Sequence, residues 1–318
     1  IGVYLTGSKI SDFRQALGLL PSRERPLLFC GFHGDVLEKF MEGMSWRLGY
    51  DLICLSGPRD REALERMLEA TPFADQRTVL TGLHRQNSSD HPQLSSEQRR
   101  KQLVFAEQVV MQSSAAERAE MVRRRADLAR SSPDWEVVIK RRIAVEEETF
   151  HSVDDHISTT VKQTLGHAPE NLRLDYRPLP ELLRQARLMA TVSSTAFFDA
   201  LDFGCRPLVM SDFGINPANG SHVFAGSGVW RAIDAVEDLD ALDQELPQPD
   251  PEWLAWMGYG TKLEPERLIG ALRELRASPP ERLSTKSGYL SNANLSFTQL
   301  RRDAERAIQH RNWNEAES

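Results

Sequence analysis

The sequence predicts an α/β protein built of two doubly wound, parallel-sheet domains that face a cleft. Three observations carry this. Short apolar runs alternate with helically spaced stretches from Ile1 to Leu80, a polar stretch then breaks the rhythm, and the alternation resumes from Leu103 to Met210. Strand and helix repeating at this spacing mean parallel strands with helices on the sheet faces. At 318 residues, 40% hydrophobic and 27% charged, the chain has the size and composition for two soluble globular domains.

In the first half, Ile1 to Leu5 reads as a strand ending at Thr6-Gly7. Ser8 to Leu20 is a helix in which Ile10, Phe13, Ala16, Leu17 and Leu20 recur behind serine caps. Pro26 to Cys30 is a second strand, broken by Gly31-Phe32-His33-Gly34. The helix Asp35 to Leu48 places Val36, Phe40 and Met44 on one face and stops at Gly49. Asp51 to Leu55 is a third strand, and Ser56-Gly57-Pro58 opens the helix Arg59 to Ala70 with proline near its first turn. Thr78 to Leu80 is a fourth. Leu83 to Arg100, rich in Ser, Gln, His and Asn, is the expected interdomain linker.

In the second half the strands are Leu103 to Ala106, Trp135 to Lys140, Leu172 to Leu174, Leu188 to Val192 and Pro207 to Met210. Between them lie helices at Ser113 to Arg130, around Val153 to Leu165, at Pro180 to Ala186, and a short one after Ser193-Ser194-Thr195 that stops at Gly204. Beyond Ser211-Asp212-Phe213-Gly214 the pattern weakens, and Pro265 to Arg276 and Phe297 to His310 are closing helices. The expected division is 1–95, a Rossmann-like domain on the acceptor side that lacks its first strand, and 96–318, a Rossmann-like domain on the donor side whose last helix is a candidate to pack back on the first. Because the chain begins at Ile1 without a methionine, a first strand or a targeting segment is expected ahead of it.

Charge and cysteine usage exclude several classes. A net charge of −7 argues against a nucleic-acid-binding domain, which needs a basic excess. Cys30, Cys54 and Cys205 form no C-x-x-C pair, so neither a zinc knuckle nor a disulfide framework is suggested, and a reducing cytoplasm is the expected setting. No apolar run approaches the roughly 18–20 residues of a membrane span. Arg118, Arg123, Arg124 and Arg125 either meet an anionic lipid surface or pair with Glu117 and Glu120 on their own helix.

The stretch from Leu188 to Met210 is the centre of the functional reading. A strand handing over to a helix through Ser193, Ser194 and Thr195 leaves the first helical N–H groups free and ringed by hydroxyls, which is a place for a phosphate. The plain alternative is that one serine caps the helix. Lys140-Arg141-Arg142 leaves an apolar strand at the same rim, with Glu146 to Glu148 and His151 behind it. Those cations strengthen a phosphate site, or else pair with the glutamates in a solvated loop. His151 and His156 flank Asp154 and Asp155, but their i, i+5 spacing does not stack two imidazoles for a metal.

In the first half, His33 sits at a strand end, and Glu38 and Glu42 are i, i+4 neighbours, placed to take a proton from a sugar hydroxyl. The alternative is a surface helix whose glutamates pair with Lys39 and Arg47. Asp212 is a candidate for a ribose or sugar hydroxyl, with Asn216 beside it, and a strand-end turn explains the same residues. Asp238-Leu239-Asp240 is discounted as an acidic helical surface. Neither G-x-G-x-x-G nor G-x-x-x-x-G-K-[ST] occurs.

Taken together, Val137-Val138-Ile139-Lys140, Thr149-Phe150-His151, Pro169-Glu170-Asn171-Leu172, Thr191 to Ala196, Asp212-Phe213-Gly214 and Phe224-x-x-Ser227-Gly228 resemble a bacterial family described as glycosyltransferases. Gly31 to Gly34 and Glu42-Gly43-Met44-x-x-Arg47-x-Gly49-x-Asp51 extend the likeness over about residues 1 to 230. More distantly the arrangement is similar to bacterial sialyltransferases, polysialyltransferases and Kdo transferases, and to teichoic-acid polymerases that use CDP-glycerol, all of the two-lobed GT-B fold. The resemblance implies that Ser193, Ser194, Thr195 and His151 hold the phosphate of a cytidine nucleotide donor, CMP-linked by preference; Lys140 and Arg142 join them as phosphate-binding candidates from the cationic strand exit described above. His151 is followed by Ser152 where the sialyl enzymes carry His-Pro.

Met41-Glu42-Gly43 keeps one acid of an acidic-acidic-Gly motif, which makes Glu42 the candidate base and His33 the second choice. Asp212 and Asn216 fall to the donor sugar or nucleotide. The nucleotide-activated sugar is a substrate, so no cofactor is implied and no metal is required. The expected acceptor is a glycan or a lipid-linked acceptor, in the synthesis of a capsule or other cell-surface glycan. The expected place is the cytoplasm or, peripherally, the inner face of the membrane. Two alternatives stay open: phosphoalditol transfer from a CDP-linked donor, and a catalytically silent binding or scaffold protein of the same shape. Base, sugar, anomeric outcome and oligomeric state are not read from the sequence.

Overall fold

The computed structural model describes residues 1–18, 26–32, 40–69, 71, 73–83, 94–106, 115–140, 157–217, 220–260 and 265–279. The chain divides into two compact units, Ile1–Leu83 with Ala255–Ser318, and His84–Leu254.

The first unit runs β1 (Gly2–Val3), α1 (Ser8–Gly18), β2 (Phe29–Cys30), α2 (Phe40–Ser45), β3 (Leu52–Leu55), α3 (Pro58–Leu68) and β4 (Thr78–Leu80). Its strands pair in that order and all in parallel. A parallel sheet needs cover on both faces. On one face Val3, Ile10, Leu28, Cys30, Met44, Ile53, Leu55, Leu64 and Leu68 form the core. On the other, Leu52, Cys54 and Val79 are covered by Leu268, Ala271, Leu272 and Leu275 of α10 (Pro265–Ala277). The sequence reading assigns this helix to the second domain, whereas its apolar stripe completes the first. The closing helix expected at 297–310 lies outside the described residues.

The returning segment is fixed by a close backbone crossing. A Cβ on Gly258 would lie 2.0 Å from the Ser56 carbonyl oxygen, and one on Gly57 would lie 2.5 Å from the Gly258 nitrogen. Leu83 N–H donates to the Gly258 carbonyl at 3.1 Å. Beside the crossing, Asp60 accepts from Ser56 N–H at 3.1 Å and pairs with Arg59 at 2.6 Å, both buried.

The second unit contains β5 (Arg100–Ala106), α4 (Ala115–Ser131), β6 (Glu136–Lys140), α5 (Ile157–Leu165), β7 (Leu172–Asp175), α6 (Leu179–Leu183), β8 (Ala186–Thr191), α7 (Ala196–Asp202), β9 (Arg206–Met210), β10 (Trp230–Arg231) and α8 (Leu239–Glu245). Helix α9 (Pro251–Met257) then carries the chain into the returning segment. Six parallel strands lie in the order β10-β9-β8-β5-β6-β7. The central strands are continuous apolar runs: Leu103 to Phe105, Val137 to Ile139 and Leu188 to Ala190 are fully buried. Each Val, Leu, Ile, Phe or Met among them contributes about 1.5–3 kcal/mol by leaving water.

Two differences from the expected elements have local causes. Strand β5 begins at Arg100, inside the expected linker, because an irregular register between Arg100 and Leu103 breaks the alternation there. In the weak region beyond Asp212, α8 is capped by Asp238 accepting from Ala241 N–H at 2.8 Å. Asp240 accepts from Trp135 Nε1 at 3.0 Å and pairs with Lys101 at 2.8 Å, so both acids serve the fold. At the amino ends of the strands, the buried Arg99 guanidinium collects carbonyls of Leu183 (3.0 Å), Ala186 (2.9 Å) and Phe203.

Among the described residues no helix is long and apolar enough to cross a membrane. All three cysteines are free and buried. Burial pushes the Cys205 thiol up to about 12 and raises those of Cys30 and Cys54. A thiol-reactive disulfide at pH 8 is therefore expected to leave the native protein nearly untouched and to label all three cysteines after denaturation. Fast native labelling would contradict the placement.

The glycine crossing gives a sharper test. Gly258→Ala, at φ +87 with no room for a Cβ, is expected to lower stability by about 3 kcal/mol or more. Gly260→Ala, at φ +71 in open space, should cost only about 1 kcal/mol. Equal losses in denaturant unfolding would show that the crossing is not the constraint.

Candidate functional site

In the second unit β5 has β6 on one side and β8 on the other, so the strand order reverses between β5 and β8. Segments leaving the carboxyl ends of two such strands diverge and open a crevice, which is where ligands bind in open α/β sheets. Phe105 is level with Ala190, which puts the last residues of these strands, Ala106 and Thr191, together at that rim. Val192, Ser193, Ser194 and Thr195 follow. The hydroxyl run expected from the sequence therefore stands at the reversal point.

Its geometry differs from the expectation in one respect. Ser194 Oγ accepts from Ala196 N–H at 3.2 Å, the Ser194 carbonyl from Phe197 N–H at 3.0 Å, and the Thr195 carbonyl from Phe198 N–H at 2.9 Å. The first amides of α7 are thus used within the turn rather than left free. What the turn still offers is the half-buried side chains of Ser194 and Thr195, together with their own amides, which meet no acceptor among the described residues. Ser193 is buried beside them.

Helix α7 is short and is held by aromatic packing. Phe197 lies 5.2 Å from Phe224 and 5.5 Å from Trp253, and Phe198 stacks on Trp253 at 6.0 Å. Trp253 Nε1 donates to the Val223 carbonyl at 3.0 Å. Each aromatic pair adds about 0.5–1.5 kcal/mol beyond its buried area, which fixes the helix and with it the turn.

Lys140 ends β6, level with Ala106 of β5 and Asp175 of β7. It stands two strands from β8, about 10 Å across the sheet. Asp175 is gripped by Arg177 at 2.6–3.1 Å, which holds its carboxyl below the usual range, and the Lys140 charge acts in the same direction. Lys140 therefore has an acidic neighbour on the side away from the crevice. Arg142 and His151 lie outside the described residues, as do His33 and Glu38.

Asp212, expected to meet a ribose or sugar hydroxyl, has a side chain only 1% exposed. Its carboxylate accepts from Ile233 N–H at 3.0 and 3.1 Å, from Asp234 N–H at 3.3 Å and from Arg124 Nη1 at 2.9 Å. That is a structural duty: it ties the end of β9 to the turn after β10 and to α4. Asn216 is exposed on the following loop, where its N–H donates to Ser221 Oγ at 2.8 Å and Ser221 donates on to the Gly214 carbonyl at 3.1 Å.

Of the two uses expected for the α4 arginines, Arg123 and Arg124 show the pairing on their own helix. Arg123 and Arg124 pair with Glu120, Arg124 also with Asp212 and Asp234, and Arg125 is buried against the Phe105 ring at 4.7 Å. The two arginine bonds hold the Glu120 carboxyl below its ordinary pKa.

In the first unit Glu42 is half-buried on α2. Arg47, which sequence reasoning offered as a partner for glutamate, instead spends its guanidinium on carbonyls of Gly31 (3.0 Å), Gly43 (2.7 Å) and Leu5 (3.3 Å), and lies 3.6 Å over the Phe32 ring. It gathers the carboxyl ends of β1 and β2 onto α2. A Cβ on Gly43 would meet that ring at 2.9 Å. Glycine and arginine four residues apart in Gly43-Met44-x-x-Arg47 were the legible signal of this clamp. Among the described residues no group of three or more His, Cys, Asp or Glu side chains is placed to hold a metal ion.

The family model described as "Putative glycosyltransferase (DUF6716)" matches residues 5–275. The chain belongs to this family. Solved structures similar to this glycosyltransferase chain include MnaA of S. aureus with UDP, at 12% identity and a TM-score of 0.50, covering 87% of this chain and 82% of that one. A structure titled as a putative UDP-N-acetylglucosamine 2-epimerase from Listeria monocytogenes, at 15% identity and a TM-score of 0.50, covers 88% and 75%. At such identities the likeness is one of fold: two parallel-sheet α/β domains of the GT-B type. Among curated proteins none matches this sequence.

The duty assigned to Asp212 is open to test. Asp212→Ala leaves the Ile233 and Asp234 amides without their acceptor, removes one of the three carboxylates that Arg124 pairs with, and is expected to cost about 2–4 kcal/mol of stability. A protein as stable as the parent, changed only in ligand affinity, would return Asp212 to the ligand-binding role.

Proposed function

We propose that the chain transfers a sugar from a nucleotide-activated donor to an acceptor hydroxyl, with the donor phosphate seated against Ser193, Ser194 and Thr195. The observation that carries this is the coincidence of the hydroxyl turn with the strand-order reversal, in a chain of a glycosyltransferase family. In the reaction the acceptor oxygen bonds to the anomeric carbon while the bond from that carbon to the phosphate oxygen breaks. The electron pair leaves with the phosphate and the acceptor proton passes to a base.

Charge growing on the phosphate is met by pre-aimed hydroxyls and by the Ser194 and Thr195 amides. Lys140 adds a longer-range positive field, and in this reading Arg142 and His151 contribute further positive charge. Asp212 acts by holding the loop that carries Asn216. Glu42 is the proposed base, His33 the second choice, and the scheme invokes no metal.

The UDP in the S. aureus MnaA structure favours a uridine donor, whereas the resemblance to CMP- and CDP-using enzymes favours cytidine. The proposed acceptor is a cell-surface glycan, free or lipid-linked.

A panel of CMP, CDP, UDP and GDP in thermal-shift assays identifies the donor nucleotide. Ser194→Ala is expected to weaken binding of the best nucleotide by about tenfold or more with the fold intact. Glu42→Gln should leave that affinity unchanged and lower turnover by ~10²–10⁴-fold. If no nucleotide stabilises the protein, the silent-scaffold reading takes over; phosphorus retained in the product would mean phosphoalditol transfer.

A further inference from the structure

Thr191 ends β8 at the crevice, is 0% exposed, and its Oγ1 has no hydrogen-bond partner. Among the described residues it is the one buried hydroxyl in that condition; the other unpartnered buried side-chain atoms are arginine Nε atoms. A guanidinium has further N–H groups with which to satisfy itself, whereas a hydroxyl left alone bears its whole desolvation cost.

Three other buried hydroxyls of the same unit are engaged by backbone groups. Ser132 Oγ accepts from Leu239 N–H at 3.0 Å, Ser221 Oγ takes part in the 214–216 turn, and Ser227 Oγ accepts from Val229 N–H at 3.5 Å. Strand propensity gives no reason for threonine over valine here, since both are β-branched and fit a buried strand. The neighbours on the adjacent strands, Ala106 and Val209, offer no side-chain partner. The orphaned hydroxyl also sits two residues before Ser193, where burial gives way to the half-buried Ser194 and Thr195.

We propose that Thr191 is a positioning residue for donor phosphate. Its hydroxyl gains a hydrogen-bond partner when the 192–195 turn closes on the phosphate of a nucleotide, so the ligand-free fold is destabilised in favour of the bound one. The inference rests on the reading of that turn as the donor site. It adds a residue that does not touch the ligand, and it ties affinity to a stability cost in the free protein, as functional sites commonly do.

The test uses the full chain with Thr191→Val, which keeps the shape and removes the hydroxyl, and Thr191→Ser, which keeps the hydroxyl. Unfolding without ligand and calorimetric titration with UDP and CMP are the two readouts. Thr191→Val is expected to raise the ligand-free Tm by about 2–4 °C and to weaken the better nucleotide about tenfold, while Thr191→Ser binds close to the parent. A Thr191→Val protein that binds as the parent does overturns the inference and leaves the donor site standing. A lowered ligand-free Tm also overturns it, by showing that the hydroxyl already serves the fold. If the parent chain binds neither nucleotide, the donor-site reading falls and takes this one with it.

Discussion

The second unit depends on one topological constraint. After β5, β6 and β7 have been laid in one direction, β8 joins the sheet on the far side of β5, and the segments that follow β5 and β8 part. The part of the ladder just beneath that parting is apolar, with Leu103 level with Leu188 and Val104 with Met189, all fully buried. Polar chemistry therefore begins abruptly where the ladder stops. The same apolar floor holds hydroxyls and amides in place at a low-dielectric edge, where their dipoles act more strongly than in water.

Buried guanidinium groups organise both sheets at their rims. Arg47 collects carbonyls at the carboxyl ends of the first unit's strands, and Arg99 does so at the amino ends of the second unit's. A planar group with five donors can terminate several chain segments at once, which a lysine cannot. Their locations differ in meaning. Arg99 works at the rim opposite the crevice and bears on stability alone, while Arg47 sits directly beneath the part of α2 that carries Glu42, so the presentation of that carboxylate is inseparable from the clamp.

Most strands were legible because buried parallel strands write themselves as short runs of Val, Ile, Leu and Phe; Val137 to Ile139 and Leu188 to Ala190 are examples. The start of β5 was hidden by its irregular register, and the return of α10 could not be read because an amphipathic stripe does not say which sheet it will cover. The site was legible in position but less so in detail. Three hydroxyl residues before a helix look the same whether their turn leaves its amides open or closes on them, and here Ser194 closes on Ala196. Asp212 had the spacing of a ligand contact, yet its partners are the backbone at 233–234 and an arginine far upstream on α4, none of which local sequence announces. Glycine and arginine in Gly43-Met44-x-x-Arg47 carried family resemblance, and a stacked Phe32 ring explains both.

The aromatic cluster under α7 has a spectroscopic meaning. Trp253 lies against Phe197, Phe198 and Phe224, with its indole N–H held by the Val223 carbonyl. An indole in so dry a setting emits toward the blue, and it touches the helix into which the serine turn runs. Any rearrangement of that turn that shifts α7 must alter the surroundings of this ring, so the protein carries a built-in optical gauge of its own crevice.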